Sequence, residues 1–444
     1  MDHKHGAAGR GDARVVVANR AQLSWDLINP DGWLAPDHRA RLVVGFVETL
    51  DLAVLYDKIE AREGTVGRPA ADPAVLFALW LLATMDGIGS ARELDRLTSQ
   101  DLAYRWVACG VPVNYHGLAD FRVAHADVLD GLLTKTLAAF MAEGLFDADE
   151  IVVDGTKIKA SAGKSSYKRA LRLDETEAKA KARVIALKAE VDADPAASSR
   201  RTQAARARGL RQTRERIEKA RAKLAEIEAE KAERAKRSPK EVAGQKEARA
   251  SLTDPEARRM RCADGAVRAS YNVQIAATTD HGFVTAIMAT DRRNDGDLAR
   301  PMVEESEQRL GRPIKRVLAD TGFAQVEDIA ALSSRPEAPV GVYIHPPRDR
   351  TDVKPATLMR RQKEREREPQ TIKDWRQRMT TDEAEGVMKK RGRIERVNAS
   401  FKNRGFGTLL VRGLAKVQAI GLWHALAHNL TIAVRLRSIA AAAA

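Results

Sequence analysis

Cysteine, aromatic residues and long apolar runs are all scarce in this sequence, and each shortage removes a class of protein. The two cysteines, Cys109 and Cys262, lie far apart and without a metal-ligand spacing, which argues against a disulfide framework and a structural zinc site. The longest apolar run, Ala74 to Ala83, falls well short of the about 20 residues that cross a bilayer, and the polar start MDHKHGAAGRGD is no signal peptide. A soluble, cytoplasmic chain is expected. With 444 residues and 44% hydrophobic content, it can bury two or three packed domains. The 75 Lys and Arg against 61 Asp and Glu, a net +14, suit a phosphate backbone or an anionic membrane surface, and charge alone does not choose between them.

From about Leu42 to Leu145 the pattern is helical. Asp72 and Pro73 stand as cap and first helical residue before an apolar stretch that ends in the turn DGIGS. A second helix follows, with Ser90 and Glu93 at the spacing of a capping box. Helix, Gly-containing turn and helix fit a helix-turn-helix DNA reader, but also an ordinary helical hairpin packed through Leu76, Leu79, Trp80 and Leu94; periodicity favours the hairpin. The run EIVVD then reads as a buried strand that ends at Asp154 before Gly155.

Between about Tyr167 and Leu252 the chain is charged and nearly free of aromatics. Leu210, Thr213, Ile217, Ala220, Leu224 and Ile227 recur at spacings of three and four. Before the break DADPAASS, Val184, Leu187 and Val191 do the same, so a charged helical hairpin is expected, either binding DNA or a partner or simply solvated. Strand signals return in SYNVQIAATT and FVTAIMATD, joined as a hairpin through DHG. After a helix, PIKRVLAD reads as a strand delivering Asp320 before Gly322, the strand-end position where functional residues gather in α/β sheets.

The segment KKRGRIERVNASFKNRGFG, Lys389 to Gly407, has one acidic residue, Glu395, among seven Lys and Arg. Ile394, Val397 and Phe401 make a core stripe, while Arg391, Glu395 and Lys402 share an adjoining face. A salt-bridged surface helix explains this spacing; so does a metal-binding carboxylate kept ionised by its basic neighbours. Three carboxylates, Asp154, Asp320 and Glu395, supply the hard oxygen ligands of a two-metal phosphoryl-transfer site.

These residues resemble the insertion-sequence transposases of the DDE class, with an RNase H-like catalytic domain. That family's third acidic residue sits in a signature of Tyr, two residues, Arg, three residues, Glu, six residues, Lys. Arg391, Glu395 and Lys402 match its last three places, and Met388 stands at the Tyr position. VVDGTKIKA is similar to the first Asp motif and VLADTGF to the second, while GRPAADPAVLFALWLLATMDGIGSARELDRL and RGLAKVQAIGLWHALAHNLTIAVRL are similar to the N-terminal domain and last helix. The resemblance implies an α/β, RNase H-like mixed sheet flanked by helices, with an all-α N-terminal domain (1–145) that binds DNA ends. The first catalytic strand would lie in 146–165, the inserted charged hairpin in 166–255 and the rest of the catalytic domain in 256–444. It implies Asp154, Asp320 and Glu395 as catalytic metal ligands for two Mg²⁺ ions, replaceable by Mn²⁺, with Arg391 and Lys402 on DNA. The partners implied are double-stranded DNA, as terminal inverted repeats and target, and further copies of the chain.

His424 and His428, one helical turn apart, lack the Glu of a zinc-protease motif and are expected to pack. Asp291, Asp295 and Asp297 in the loop DRRNDGD are expected as turn and cap residues. The basic run RRQKEREREPQ and Lys157 and Lys159 are read either as DNA-facing or as solvated. The rival functions are an RNase H-like DNA nuclease without strand transfer and a catalytically inactive DNA-binding protein.

Overall fold

Two apolar, β-branched strands build the centre of the fold, which we describe from a computed structural model over residues 29–59, 69–193, 200–237, 247–348 and 355–443. Strand β1 (Glu150–Lys159) pairs antiparallel with β5 (Val267–Thr278), from Ile151 against Thr278 to Lys159 against Ser270. On its other side β1 pairs parallel with β7 (Arg316–Ala319), and only over residues 150–152. Strand β8 (Gly341–Ile344) continues the parallel edge. Strands β4 (Arg258–Arg261) and β6 (Val284–Thr290) follow one another along the far edge of β5. A short ribbon of β2 (Tyr167–Lys168) and β3 (Ala250–Ser251) lies apart. The result is the expected RNase H-like mixed sheet.

The strand does not end at Asp154. Asp154 and Gly155 sit mid-strand, because β5 is long enough to pair with β1 through Lys159 while the β7 neighbour stops short. The side of β1 that faced β7 is therefore without a strand partner from about Asp154 until Lys159, where Gly407 and Leu409 bond to its backbone.

Among the described residues, seven α-helices precede the sheet: α1 (Arg39–Glu48), α2 (Ala53–Asp57), α3 (Pro73–Met85), α4 (Ala91–Gln100), α5 (Leu102–Ala108), α6 (Tyr115–Ala124) and α7 (Ala126–Ala142). Asp72 caps α3 by accepting from the Ala74 N–H, with Pro73 in the first turn. Residues Phe77 to Thr84 are all buried, as a helix apolar on every side requires. Leu79, Trp80 and Leu94 are buried, and Leu76 is half-buried. Ser90 accepts from the Glu93 N–H at 3.4 Å, but Glu93 turns to Arg96, so only half of the capping box forms.

The cover for α3 is the last helix. Counting onward from the inserted helices α8 (Ala170–Ala193) and α9 (Arg200–Arg237), the remainder are α10 (Ala299–Leu310), α11 (Val326–Ser333), α12 (Pro355–Glu366), α13 (Gln370–Arg378), α14 (Asp382–Lys389), α15 (Gly392–Phe401) and α16 (Leu414–Ala443). The Phe77 and Trp423 rings are 4.6 Å apart, and the Trp423 indole donates to the Arg122 carbonyl at 3.0 Å. The first helices, the sheet and α16 share one hydrophobic core.

In the charged insertion, Ile217, Ala220, Leu224 and Ile227 are buried, and the last three pack with Leu173, Ala248 and Ala250. Glu230 receives both guanidinium nitrogens of Arg258 at 2.7 and 2.8 Å, and Lys223 pairs with Asp291, fastening α9 to the sheet. Val184 is exposed. The side chains of Leu187 and Val191, the residues 194–199 of DADPAASS and the segment MDHKHGAAGRGD lie outside the described residues. Among the described residues, no helix is long and apolar enough to cross a membrane.

Asn429 on α16 bridges to the sheet: its Oδ1 accepts from the Val284 N–H at 2.7 Å and its Nδ2 donates to the Val284 carbonyl at 2.9 Å. All of these groups are buried. Asn429→Ala leaves two backbone groups unpaired and should cost about 2–4 kcal/mol in urea unfolding; a loss below about 0.5 kcal/mol would show that water replaces the amide.

Candidate active site

Asp154 stands on the central strand, half-buried, at the place where β7 no longer covers β1. Its Oδ1 accepts from the Gly155 N–H at 2.9 Å and its Oδ2 from Asn398 Nδ2 at 2.7 Å. Burial, and next the charge of Asp320, push its carboxyl up to about 6; the Gly155 N–H and Arg391 oppose the shift, and Asp295 adds to it. Asp320 follows β7 directly, caps the short turn Thr321–Phe323 and accepts from the Gly322 N–H at 2.8 Å. The two aspartates are therefore neighbours, delivered by adjacent strands.

Helix α15 carries the third carboxylate. Ile394, Val397 and Phe401 are buried as the core stripe, and α15 packs on β1 and β5. Asn398, three residues beyond Glu395, makes the bond to Asp154. Glu395 itself is 62% exposed and accepts from Arg391 at 3.0 Å. Just before α15, Lys390 pairs with Glu150 at 2.9 Å and so ties the helix to the first residue of β1. Met388, at the place of the signature Tyr, is half-buried against the core. Lys402 is exposed where the chain leaves α15 through a wide turn, Lys402–Phe406, with Gly405 at φ 86°.

The structure thus brings Asp154 and Asp320 together and docks the Glu395 helix beside them, while the Glu395 carboxylate points to Arg391. Among the described residues, no three His, Cys, Asp or Glu side chains converge as a ready metal cage. The donor chemistry nonetheless fits a hard divalent cation: carboxylate oxygens, one of them raised by burial and by a like charge. The nearby cations have other partners, Lys157 with Asp295 at 3.5 Å and Arg391 with Glu395.

Two positions that contact this cluster escape a reading by spacing. Asn398 lies on the Glu395 helix but does not belong to the charged face. Asp295 opens the turn expected there, its carbonyl accepting from the Leu298 N–H at 3.3 Å, but its side chain caps nothing: Oδ1 accepts from Asn272 at 2.6 Å and Gln274 at 2.8 Å. Its neighbours behave differently. Asp297 adopts a left-handed φ of 55° and pairs with Arg292, and Asp291 binds the inserted hairpin. His424 and His428 are buried against Phe401, and His424 also packs on Phe406; burial lowers both, His428 to about 4, as packing residues require. Lys159 is exposed, and α12, which carries much of the basic run, is largely exposed too.

A mixed sheet with carboxylates at adjacent strand positions and a third on the helix docked over them is the arrangement of metal-dependent phosphoryl-transfer enzymes. A family model described as the transposase DDE domain matches residues 241–430, and one described as a transposase domain matches residues 29–123. The chain belongs to the insertion-sequence DDE transposases: it is a DNA-binding, divalent-metal-dependent enzyme of DNA transposition. No curated protein matches the chain significantly. Asp320 and Glu395 fall within the matched DDE segment, and Asp154 precedes it, on the other side of the charged insertion.

In the unfolded chain Asp154 titrates near about 3.9, so between that value and about 6 the folded protein holds an extra proton. Stability therefore falls as pH rises through this window and the loss is complete above it. Without divalent metal, Asp154→Asn should be more stable than the wild type at pH 8 by about 1–3 kcal/mol, with the gap closing below pH 4. Urea unfolding at both pH values measures it, and an equal gap at both would assign the effect to packing rather than charge.

Proposed function

We propose that Asp154, Asp320 and Glu395 are the catalytic carboxylates of this transposase and together hold two Mg²⁺ ions, which Mn²⁺ can replace. The observation that carries this reading is the 2.7 Å bond from Asn398 to Asp154, which locks the Glu395 helix onto the first catalytic strand beside Asp320. Bound ions supply Lewis acidity and neutralise charge on the attacking and leaving oxygens.

The chain's own residues do the rest. Asn398 and the Gly155 N–H hold the two oxygens of Asp154 in place. Arg391, near enough to Asp154 to lower it and paired with Glu395, exchanges that carboxylate for a phosphate oxygen as DNA enters, and frees Glu395 to turn inward. Lys402 binds a phosphate further along. Water attacks the phosphodiester at the element's end, the bond to the 3′ oxygen breaks, and a 3′-hydroxyl is released. That oxygen then bonds to a target phosphorus as a target 3′ oxygen leaves; no covalent link to the protein forms.

The helical region 1–145 binds the terminal inverted repeats. In support, α4 packs through Ala91, Leu94 and Leu97 and exposes Arg92, Arg96, Ser99 and Gln100 on one face. Segments 146–165 and 256–444 then form the catalytic domain and 166–255 its inserted hairpin. The active form is a homo-oligomer on DNA, in the cytoplasm with the nucleoid. A nuclease without strand transfer is distinguished by whether the 3′-hydroxyl end joins a second duplex.

Glu395→Gln should lower cleavage of labelled end duplexes by at least about 10³-fold, the scale of losing a metal-site charge, while end binding stays within a few-fold. Cleavage at the wild-type rate by the purified variant refutes the assignment. Asn398→Ala leaves Asp154 unoriented and should cost about 10–100-fold in cleavage with unchanged DNA binding; Asn398→Asp, if as active as wild type, would show that the amide donor is not needed.

A further inference from the structure

Asp295 lies in the polar loop between β6 and α10, yet its side chain reaches into the sheet. Its Oδ1 is held by Asn272 and Gln274, both fully buried on β5, with Lys157 Nζ 3.5 Å away. Gly155 faces Gln274 across the ladder, and a Cβ there would fall 2.6 Å from Gln274 Nε2 and closer still to Asp295 Oδ1. The strand position next to Asp154 can thus be filled only by glycine while Asp295 keeps its seat. The second oxygen faces the other way. Asp295 Oδ2 lies 3.8 Å from the point that a Cβ of Gly322 would occupy, and Asp320 Oδ1 lies 2.9 Å from the same point. The two carboxylates converge on Gly322.

A separate observation points to a missing ligand. Asn272 Oδ1 and Gln274 Oε1 are buried without a hydrogen-bond partner, on the same side chains whose nitrogens grip Asp295. A buried amide oxygen left unpaired loses its hydration without replacement, so such atoms are uncommon unless a ligand or water serves them. Hydration around a bound cation would offer them donors. Lys157 does not account for the arrangement, since it approaches Asp295 at Oδ1, 3.5 Å away, whereas Oδ2 is the oxygen on the side of Asp320.

We propose that Asp295 is a fourth carboxylate of the divalent-metal centre, with Asn272 and Gln274 fixing Oδ1 so that Oδ2 is presented on the side of Asp320. The inference rests on the centre proposed above. Neither Asp295 nor its amide seat belongs to the three-carboxylate signature.

The test is Mn²⁺ binding to the full-length protein without DNA, followed by electron paramagnetic resonance of the free ion, for wild type, Asp295→Asn, Asp154→Asn and Lys157→Met. Asp295→Asn keeps an oxygen for Asn272 and Gln274 and removes the charge. It should weaken Mn²⁺ binding about 10–100-fold, while Lys157→Met does not weaken it. Wild-type affinity in Asp295→Asn, with Asp154→Asn weakened, overturns the role of Asp295 and leaves the three-carboxylate centre standing. No weakening in either aspartate variant, or no binding by the wild type, overturns both. The metal-free melting transition is recorded for each variant. If Asp295→Asn has lost it, Asp295→Ser, which leaves room for water beside the amides, is read by the same criteria.

Discussion

The antiparallel ladder between β1 and β5 is the constraint on which the rest of this molecule depends. Its register sets Asp154 opposite Ile275 and Gly155 opposite Gln274, and in doing so decides which groups meet at the open side of β1. A one-residue slip would turn Asp154 to the other face of the sheet and bring a side chain where Gly155 admits Asp295. The ladder outlasts the β1–β7 pairing, so the strand is supported on one side while its other side lacks a strand partner around Asp154, up to the bridge at Lys159.

Crowding Asp154 against Asp320 costs stability in the absence of a counter-charge, and the surrounding structure bears that cost. The sheet is buried between helices, α15 is fastened at both ends, through Lys390 to Glu150 and through Asn398 to Asp154, and α16 grips both the strands and α3. Strain at a functional centre supported by an over-determined scaffold is the usual arrangement where charge must be ready for a ligand. The shared core also means that the N-terminal helices are not a loose appendage: Trp423 reaches Arg122, whose guanidinium lies 4.4 Å over the Trp80 ring.

Much of this was legible in the residues. The cap at Asp72 and Pro73, the seam of α9, the β5–β6 hairpin, the core stripe of α15 and the strand before Asp320 all follow from local periodicity and turn chemistry, and each appears where it was expected. The length of β1 was not legible. Gly155 reads as a turn signal after EIVVD, whereas its true reason is steric and lies more than a hundred residues away, in Gln274 and Asp295. Asp295 is the turn residue its setting suggests, but the reach of its side chain was hidden, because a run of Asp, Asn and Gly has the same composition whether its side chains cap the backbone or cross to a strand.

By itself, the sequence determined the chemistry available: three carboxylates in strand and helical settings, basic residues at fixed helical intervals from Glu395, and a core large enough to hold them. Those are properties of residue type and short-range spacing. Only the tertiary structure decided which groups meet. It set Asn398 against Asp154 and Asp295 beside Gly155, and it turned the Glu395 carboxylate toward Arg391. The physical reason is that strand register and helix docking are settled by burial summed over the whole core, and no local pattern near Asp154 or Asp295 contains that sum.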